Sequence, residues 1–163
     1  MKPSPIIYPR YFNSEKFKLS YLEMPKSACT SIKAYLECPN DHEPCYADYP
    51  IFTVIRDPIK RFASGFIQLQ RQGRSKQSST VNEFLKVIEK YGFYERHIVP
   101  QSWFLEQHAQ VYKDITLYSL DEYLKEHDLP VLNTSSFSIE MSDAQIEQIQ
   151  ELYKEDYLLE VDV

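Results

Sequence analysis

The chain has 163 residues, 43% hydrophobic and 14% aromatic, with a formal net charge of −6. That length suits one globular core and excludes two independent ones, and the composition argues against a long disordered tail. The acidic balance argues against general nucleic-acid binding. No apolar run approaches the roughly 20 residues of a bilayer span, and Met1-Lys2-Pro3-Ser4-Pro5 lacks the apolar stretch of a signal peptide, so the expectation is a soluble, cytoplasmic protein.

In chain order, Lys18 to Glu23 reads as a short strand, broken at Met24-Pro25, after which Thr30 to Leu36 suits a helix. Glu37 to Tyr49 carries Pro39, Asn40, Asp41 and Pro44 and reads as an irregular connection. Ile51 to Ile55 is a continuous β-branched and aromatic run, the pattern of a strand buried on both faces of a parallel sheet. Asp57-Pro58 is then a turn, with Pro58 at the first position of a helix reaching about Gln70. Thr80 with Glu83, Ser119 with Glu122 and Ser142 with Gln145 have the spacing of capping boxes at three further helix starts. Ile115 to Tyr118 reads as a third strand, and Ile146, Ile149, Tyr153 and Tyr157 as the apolar stripe of the last helix. Alternating strands and helices predict an α/β fold: one domain over 1–163, with a short, mainly parallel sheet flanked by helices.

Cys29, Cys38 and Cys45 lack the paired spacing of zinc sites and have no accompanying His cluster, so they read as free thiols and no metal is expected. The charge is unevenly spread: Arg56 to Lys76 carries +5 and Glu140 to Val163 carries −7. The basic segment suits either a local anion site or a solvated helix face.

Two motifs fall where a parallel strand hands over to a helix, the place where ligands bind in such sheets. Pro25-Lys26-Ser27-Ala28-Cys29-Thr30-Ser31 offers backbone N–H groups, hydroxyls and one Lys to an anion, although Ser and Thr there also serve as plain helix caps. Arg56-Asp57-Pro58-Ile59-Lys60-Arg61-Phe62-Ala63-Ser64 places a forked cation at a strand end and a hydroxyl within the next helix, which could grip one phosphate. An Arg56–Asp57 structural pair is the alternative. The triphosphate loop G-x-x-x-x-G-K-[ST] is absent, and the only glycines are Gly65, Gly73 and Gly92.

Together the motifs resemble the paired signatures of carbohydrate-type sulfotransferases, which use 3′-phosphoadenosine 5′-phosphosulfate (PAPS) and share a P-loop-like three-layer α/β fold. The resemblance implies that Lys26, Ser27, Ala28, Cys29, Thr30 and Ser31 hold the 5′-phosphosulfate and that Arg56 and Ser64 hold the 3′-phosphate. It extends to a His-x-x-Pro-Gln string at His97 to Gln101 and to Tyr153-Lys154-Glu155-Asp156-Tyr157. The chain departs from the pattern at Ala28, where many members carry Gly, and is shorter than the animal members.

Sulfonate transfer rests on positioning and charge stabilisation, with Lys26 on the leaving-group side. A base for the acceptor hydroxyl is sought among His42, its neighbour Glu43 and His97, with His42 and His97 competing as catalytic candidates. His108 and His127, in polar helical context, are set aside. Cys29 as a nucleophile is disfavoured, because a phosphatase loop wants an Arg where Lys33 follows. The resemblance favours a saccharide acceptor, on which Trp103 could stack unless it belongs to the core. A magnesium-dependent P-loop-like small-molecule kinase and a non-catalytic anion-binding module are the competing functions.

Overall fold

The computed structural model of the protein describes residues 7–112, 114–130 and 139–162. The start of the chain, with Met1 to Pro5, lies outside them. Two compact bodies divide the described residues, one containing 8–56, 101–112, 114–130 and 159–162, the other 7, 57–100 and 139–158.

The first, the sheet body, is built on four strands: β1 (Tyr11–Ser14), β2 (Leu19–Leu22), β3 (Ile51–Ile55) and β4 (Thr116–Ser119). They lie in the order β1-β2-β3-β4, with β1 antiparallel to β2 and the two remaining pairs parallel. Helices α1 (Cys29–Tyr35), α4 (Gln101–Ala109) and α5 (Leu120–Glu126) belong to this body. The expected α/β class with a short, mainly parallel sheet is therefore found. Successive strand residues point to opposite faces, and one face gathers Phe12, Tyr21, Phe52 and Val54 against Ile32 and Leu36 of α1 and Leu120, Tyr123 and Leu124 of α5. Phe52 and Tyr123 stack with ring centroids 5.5 Å apart. Burying each of these side chains stabilises the fold by about 1.5–3 kcal/mol.

β1 was not expected from the sequence. Its Asn13 and Ser14 look like loop residues, yet all four residues are buried. Side-chain bonds satisfy the polar groups: Ser20 Oγ donates to Asn13 Oδ1 (2.6 Å), Asn13 Nδ2 donates to the Pro44 carbonyl (2.9 Å), and Ser14 Oγ donates to the Leu36 carbonyl (2.6 Å).

The second, the helical body, contains α2 (Pro58–Arg71), α3 (Val81–Tyr91), α6 (Asp143–Leu152) and a 3-10 turn at Lys154–Leu158. Its core is aromatic: Phe66 stacks on Phe84 at 4.7 Å, and Phe62 and Phe93 both meet Tyr153. Asp57 caps α2 by accepting from Lys60 N, and the capping boxes at Thr80–Glu83 and Ser142–Gln145 are both formed. The one expected at Ser119 is not. Ser119 is still the last residue of β4, paired with Ile55, so the strand runs straight into α5 and leaves no free cap position. The apolar stripe of the last helix also stops early. After Tyr153 the chain tightens into three residues per turn, which buries Asp156 and leaves Tyr157 exposed.

Candidate functional site

The loop after β2 is held in an unusual backbone shape. Lys26 (φ 68°) and Ala28 (φ 53°) both adopt the left-handed region, where a side chain is disfavoured. Alternating right- and left-handed residues turn successive N–H groups into a concavity suited to anions. Ser27 between them is fully buried, and its Oγ has no hydrogen-bond partner among the described residues. No acidic residue stands in the first turn of α1. Thr30 is exposed, Ser31 buried and Cys29 half-buried. Lys33, one turn on, is engaged by Glu23 at 2.8 Å. A buried unsatisfied hydroxyl in a strained, acid-free loop fits a phosphorylated ligand.

Arg56 follows β3 in the same body. Its Nη1 donates to the Lys26 carbonyl at 2.9 Å, joining the two sequence motifs. The backbone of Arg56 is gripped by the buried amide of Gln101: Arg56 N donates to Oε1 and Nε2 donates to Arg56 O, both at 2.8 Å. This pair reproduces with a side chain what a neighbouring strand would supply. Asp57 spends its carboxylate on Lys60 N, so its role is that of a cap.

The basic segment after Arg56 divides rather than forming one anion patch. Arg61 is buried and donates to the Val99 carbonyl, Arg74 pairs with Glu95, and Lys76 lies over Tyr91 and Tyr94. Ser64 is half-buried on the second turn of α2, in the helical body.

The candidate bases differ sharply. His42 is exposed in the irregular connection, with its ring 5.8 Å from Tyr8 and 6.5 Å from Phe12. Glu43 accepts from Tyr46. His97, in the helical body, is half-buried and bonded through Nδ1 to Glu95 Oε2 at 2.5 Å. His108 is not a surface residue of a polar helix, as its neighbours suggest; it is buried on α4, with Nδ1 3.0 Å from Tyr11 Oη. His127 meets Tyr35 Oη at 3.2 Å. Trp103 is half-buried, edge-on to Phe104.

Glu95 and the bracketing role of Gln101 were missed from sequence; a Glu two residues before a His was the available signal for the first. Glu95 is buried, which pushes its carboxyl up. The hydrogen bonds from the His97 side chain and backbone, with the charges of His97 and Arg74, overcome this and hold it down at about 2. The three cysteines form no disulfide and are half-buried, and burial pushes the thiols of Cys38 and Cys45 up to about 11, far from reactive thiolates.

A cavity of about 240 Å³ in the sheet body is lined by Phe17, Tyr35, Tyr118, Tyr123 and His127, with Leu19, Ile51 and Thr116. Those last three open their strands, so the cavity lies at the end of the sheet opposite the Lys26 loop.

The sheet body is thus a mainly parallel α/β sheet with a left-handed loop beyond β2 and an Arg beyond β3. Residues 39–127 match the model of the sulfotransferase family, and the chain belongs to that family. The matched span includes Arg56, Ser64, His97 and Gln101; the Lys26 loop precedes it. Neither the curated proteins nor the solved structures compared with the chain give a significant match. Among the described residues no helix is long and apolar enough to cross a membrane.

Proposed function

We propose that this sulfotransferase takes its sulfonate group from PAPS and delivers it to a saccharide hydroxyl. The observation that carries the reading is the bond from Arg56 Nη1 to the Lys26 carbonyl, which ties the two motifs into one unit. Support also comes from the buried, unsatisfied Ser27 Oγ and the left-handed Lys26 and Ala28.

PAPS, when bound, supplies an activated sulfonate on a phosphate leaving group. The N–H groups from Ser27 to Ser31 would hold its 5′ end, and Arg56 would recognise the 3′-phosphate. As the acceptor oxygen bonds to sulfur, the bridging S–O bond breaks and its electron pair stays on the 5′-phosphate of 3′-phosphoadenosine 5′-phosphate (PAP). Lys26 neutralises that growing charge. The acceptor proton passes to a histidine, His97 or His42.

The deciding experiment is a thermal-shift comparison of PAP, magnesium-ATP and AMP. PAP at about a hundred times its dissociation constant should add about 2.7 kcal/mol and raise the midpoint by roughly 5–10 °C without metal. Equal stabilisation by magnesium-ATP supports a kinase instead. Stabilisation by PAP with no turnover of PAPS leaves a non-catalytic anion-binding module.

A further inference from the structure

We propose that the cavity at the amino-terminal ends of the parallel strands is a second ligand site, one that takes a small methylated or ring-bearing ammonium cation. The proposal is independent of the sulfonate-transfer reading and concerns a place that reading does not use.

The cavity lies wholly within the sheet body. Leu19, Ile51 and Thr116 in its wall open β2, β3 and β4, whereas the Lys26 loop and Arg56 follow the far ends of β2 and β3. The five residues of β3, at about 3.3 Å each, put on the order of 15 Å between the two ends, so a guest in the cavity does not compete for the loop. Its volume of about 240 Å³ exceeds the roughly 150 Å³ that holds benzene and falls below the roughly 300 Å³ at which drug-sized sites begin. One ring or one branched head group fills it.

The wall is a run of aromatic rings. Phe17 and Tyr35 stack with centroids 5.1 Å apart, Tyr35 meets His127 at 5.1 Å, His127 meets Tyr123 at 4.4 Å, and Tyr123 meets Tyr118 at 5.5 Å. After the first pair, neighbouring planes are tilted by 38° to 54°, so the rings line a wall instead of closing into a flat stack. Phe17, Tyr35, Tyr118 and His127 are half-buried, which leaves ring surface accessible.

The faces of such rings are negative and attract cations. Phe17 already does so, with Lys16 Nζ 5.2 Å from its centroid, but that ammonium is bonded to Glu37 and does not line the cavity. Among the described lining residues there is no Lys or Arg, and Glu126 is the single carboxylate. The oxygens converge as well: burial pushes the Tyr123 hydroxyl up, and neighbouring Tyr35, Tyr118 and Glu126 push it further the same way. Ring faces, phenol oxygens and a carboxylate together favour positive charge and turn anions away. Tyr35 Oη and His127 Nδ1, 3.2 Å apart, engage each other and steady that side of the wall. A bare ammonium holds its water strongly, while a methylated one enters an aromatic wall at lower cost, which sets the class of guest.

The test uses the full chain with choline as the probe. The control is 3,3-dimethylbutan-1-ol, which has carbon in place of the nitrogen and so keeps the shape without the charge. Calorimetric titration should give choline a dissociation constant about ten-fold below that of the alcohol. Glu126→Gln, at an exposed position, should weaken choline roughly two- to five-fold and leave the alcohol unchanged. Tyr118→Leu keeps the wall apolar but removes a ring face, and should weaken choline more than the alcohol; if it does not fold, Glu126→Gln decides alone. Equal affinity for choline and the alcohol, or choline affinity unchanged in the variants, overturns the proposal. So does the absence of choline binding at about 10 mM, where a site of millimolar affinity fills.

Discussion

The amide of Gln101 closes on both backbone polar groups of Arg56, donating to its carbonyl and accepting from its N–H at 2.8 Å each. The chain leaves the sheet body after Arg56 and re-enters it at Gln101, so this pair fastens the two crossing points side by side within that body. Gln101 is 1% exposed, so its removal takes this partner from both Arg56 backbone groups in the interior of the fold. Gln101→Ala should therefore cost about 2–4 kcal/mol and lower the melting midpoint by roughly 5–15 °C. Urea unfolding of both proteins checks this, and a loss below half a kilocalorie would show that the pair is dispensable.

Arg56→Ala should weaken PAP by about ten- to a hundred-fold, the worth of a charge-assisted contact of roughly 1.5–3 kcal/mol. Because Arg56 also bonds the Lys26 carbonyl, the loop at the 5′ end loses a strut. Adenosine 5′-phosphosulfate, which lacks the 3′-phosphate, should accordingly weaken too, but by less. Calorimetric titration of both ligands against both proteins isolates the difference. Equal losses would place Arg56 at the 5′ end alone and withdraw its assignment to the 3′-phosphate.

Ala28 occupies the left-handed region that glycine enters freely. A non-glycine residue pays roughly 1–2 kcal/mol there. Ala28→Gly should raise stability by up to about 1 kcal/mol, since part of the gain is lost to the greater freedom of the unfolded chain. Ala28→Val should destabilise by more than that. Both follow from thermal unfolding with and without PAP, and a Gly variant less stable than wild type would mean that the backbone shape at 28 is not what limits the loop.

The elements that position the site were legible because their signals are local. The apolar run Ile51–Ile55, the Pro58 helix start and the two working capping boxes each depend on a few neighbouring residues. β1 was hidden because its polar residues are satisfied by Ser20, Pro44 and Leu36, partners 7 to 31 positions away that no local window joins to it. The burial of His108 was hidden likewise, its partner Tyr11 lying 97 positions earlier. The basic segment gave no local sign of its contacts: its charges are close in sequence, but Arg61, Arg74 and Lys76 take separate partners.

Glu95 should make the protein's stability fall in acid over a defined window. Its carboxyl, at 4.5 in the unfolded chain, is held at about 2 in the fold. Between those values the unfolded chain binds a proton that the native state refuses, so stability rises with pH across the interval. The contribution is complete above about pH 5 and is lost as pH falls towards 2. The full shift corresponds to roughly 3 kcal/mol, but Arg74, one of the groups responsible, is half exposed and screened by solvent, so about 1–3 kcal/mol is expected. Glu95→Gln keeps an acceptor for His97 N and removes only the charge. Urea titrations of both proteins at pH 7, 5, 4 and 3 should show a stability difference that is constant at the first two values and shrinks at the last two. A difference that stays level down to pH 3 would mean that the carboxylate gains nothing from Arg74 and His97, and the electrostatic part of its hold on His97 would fall with it.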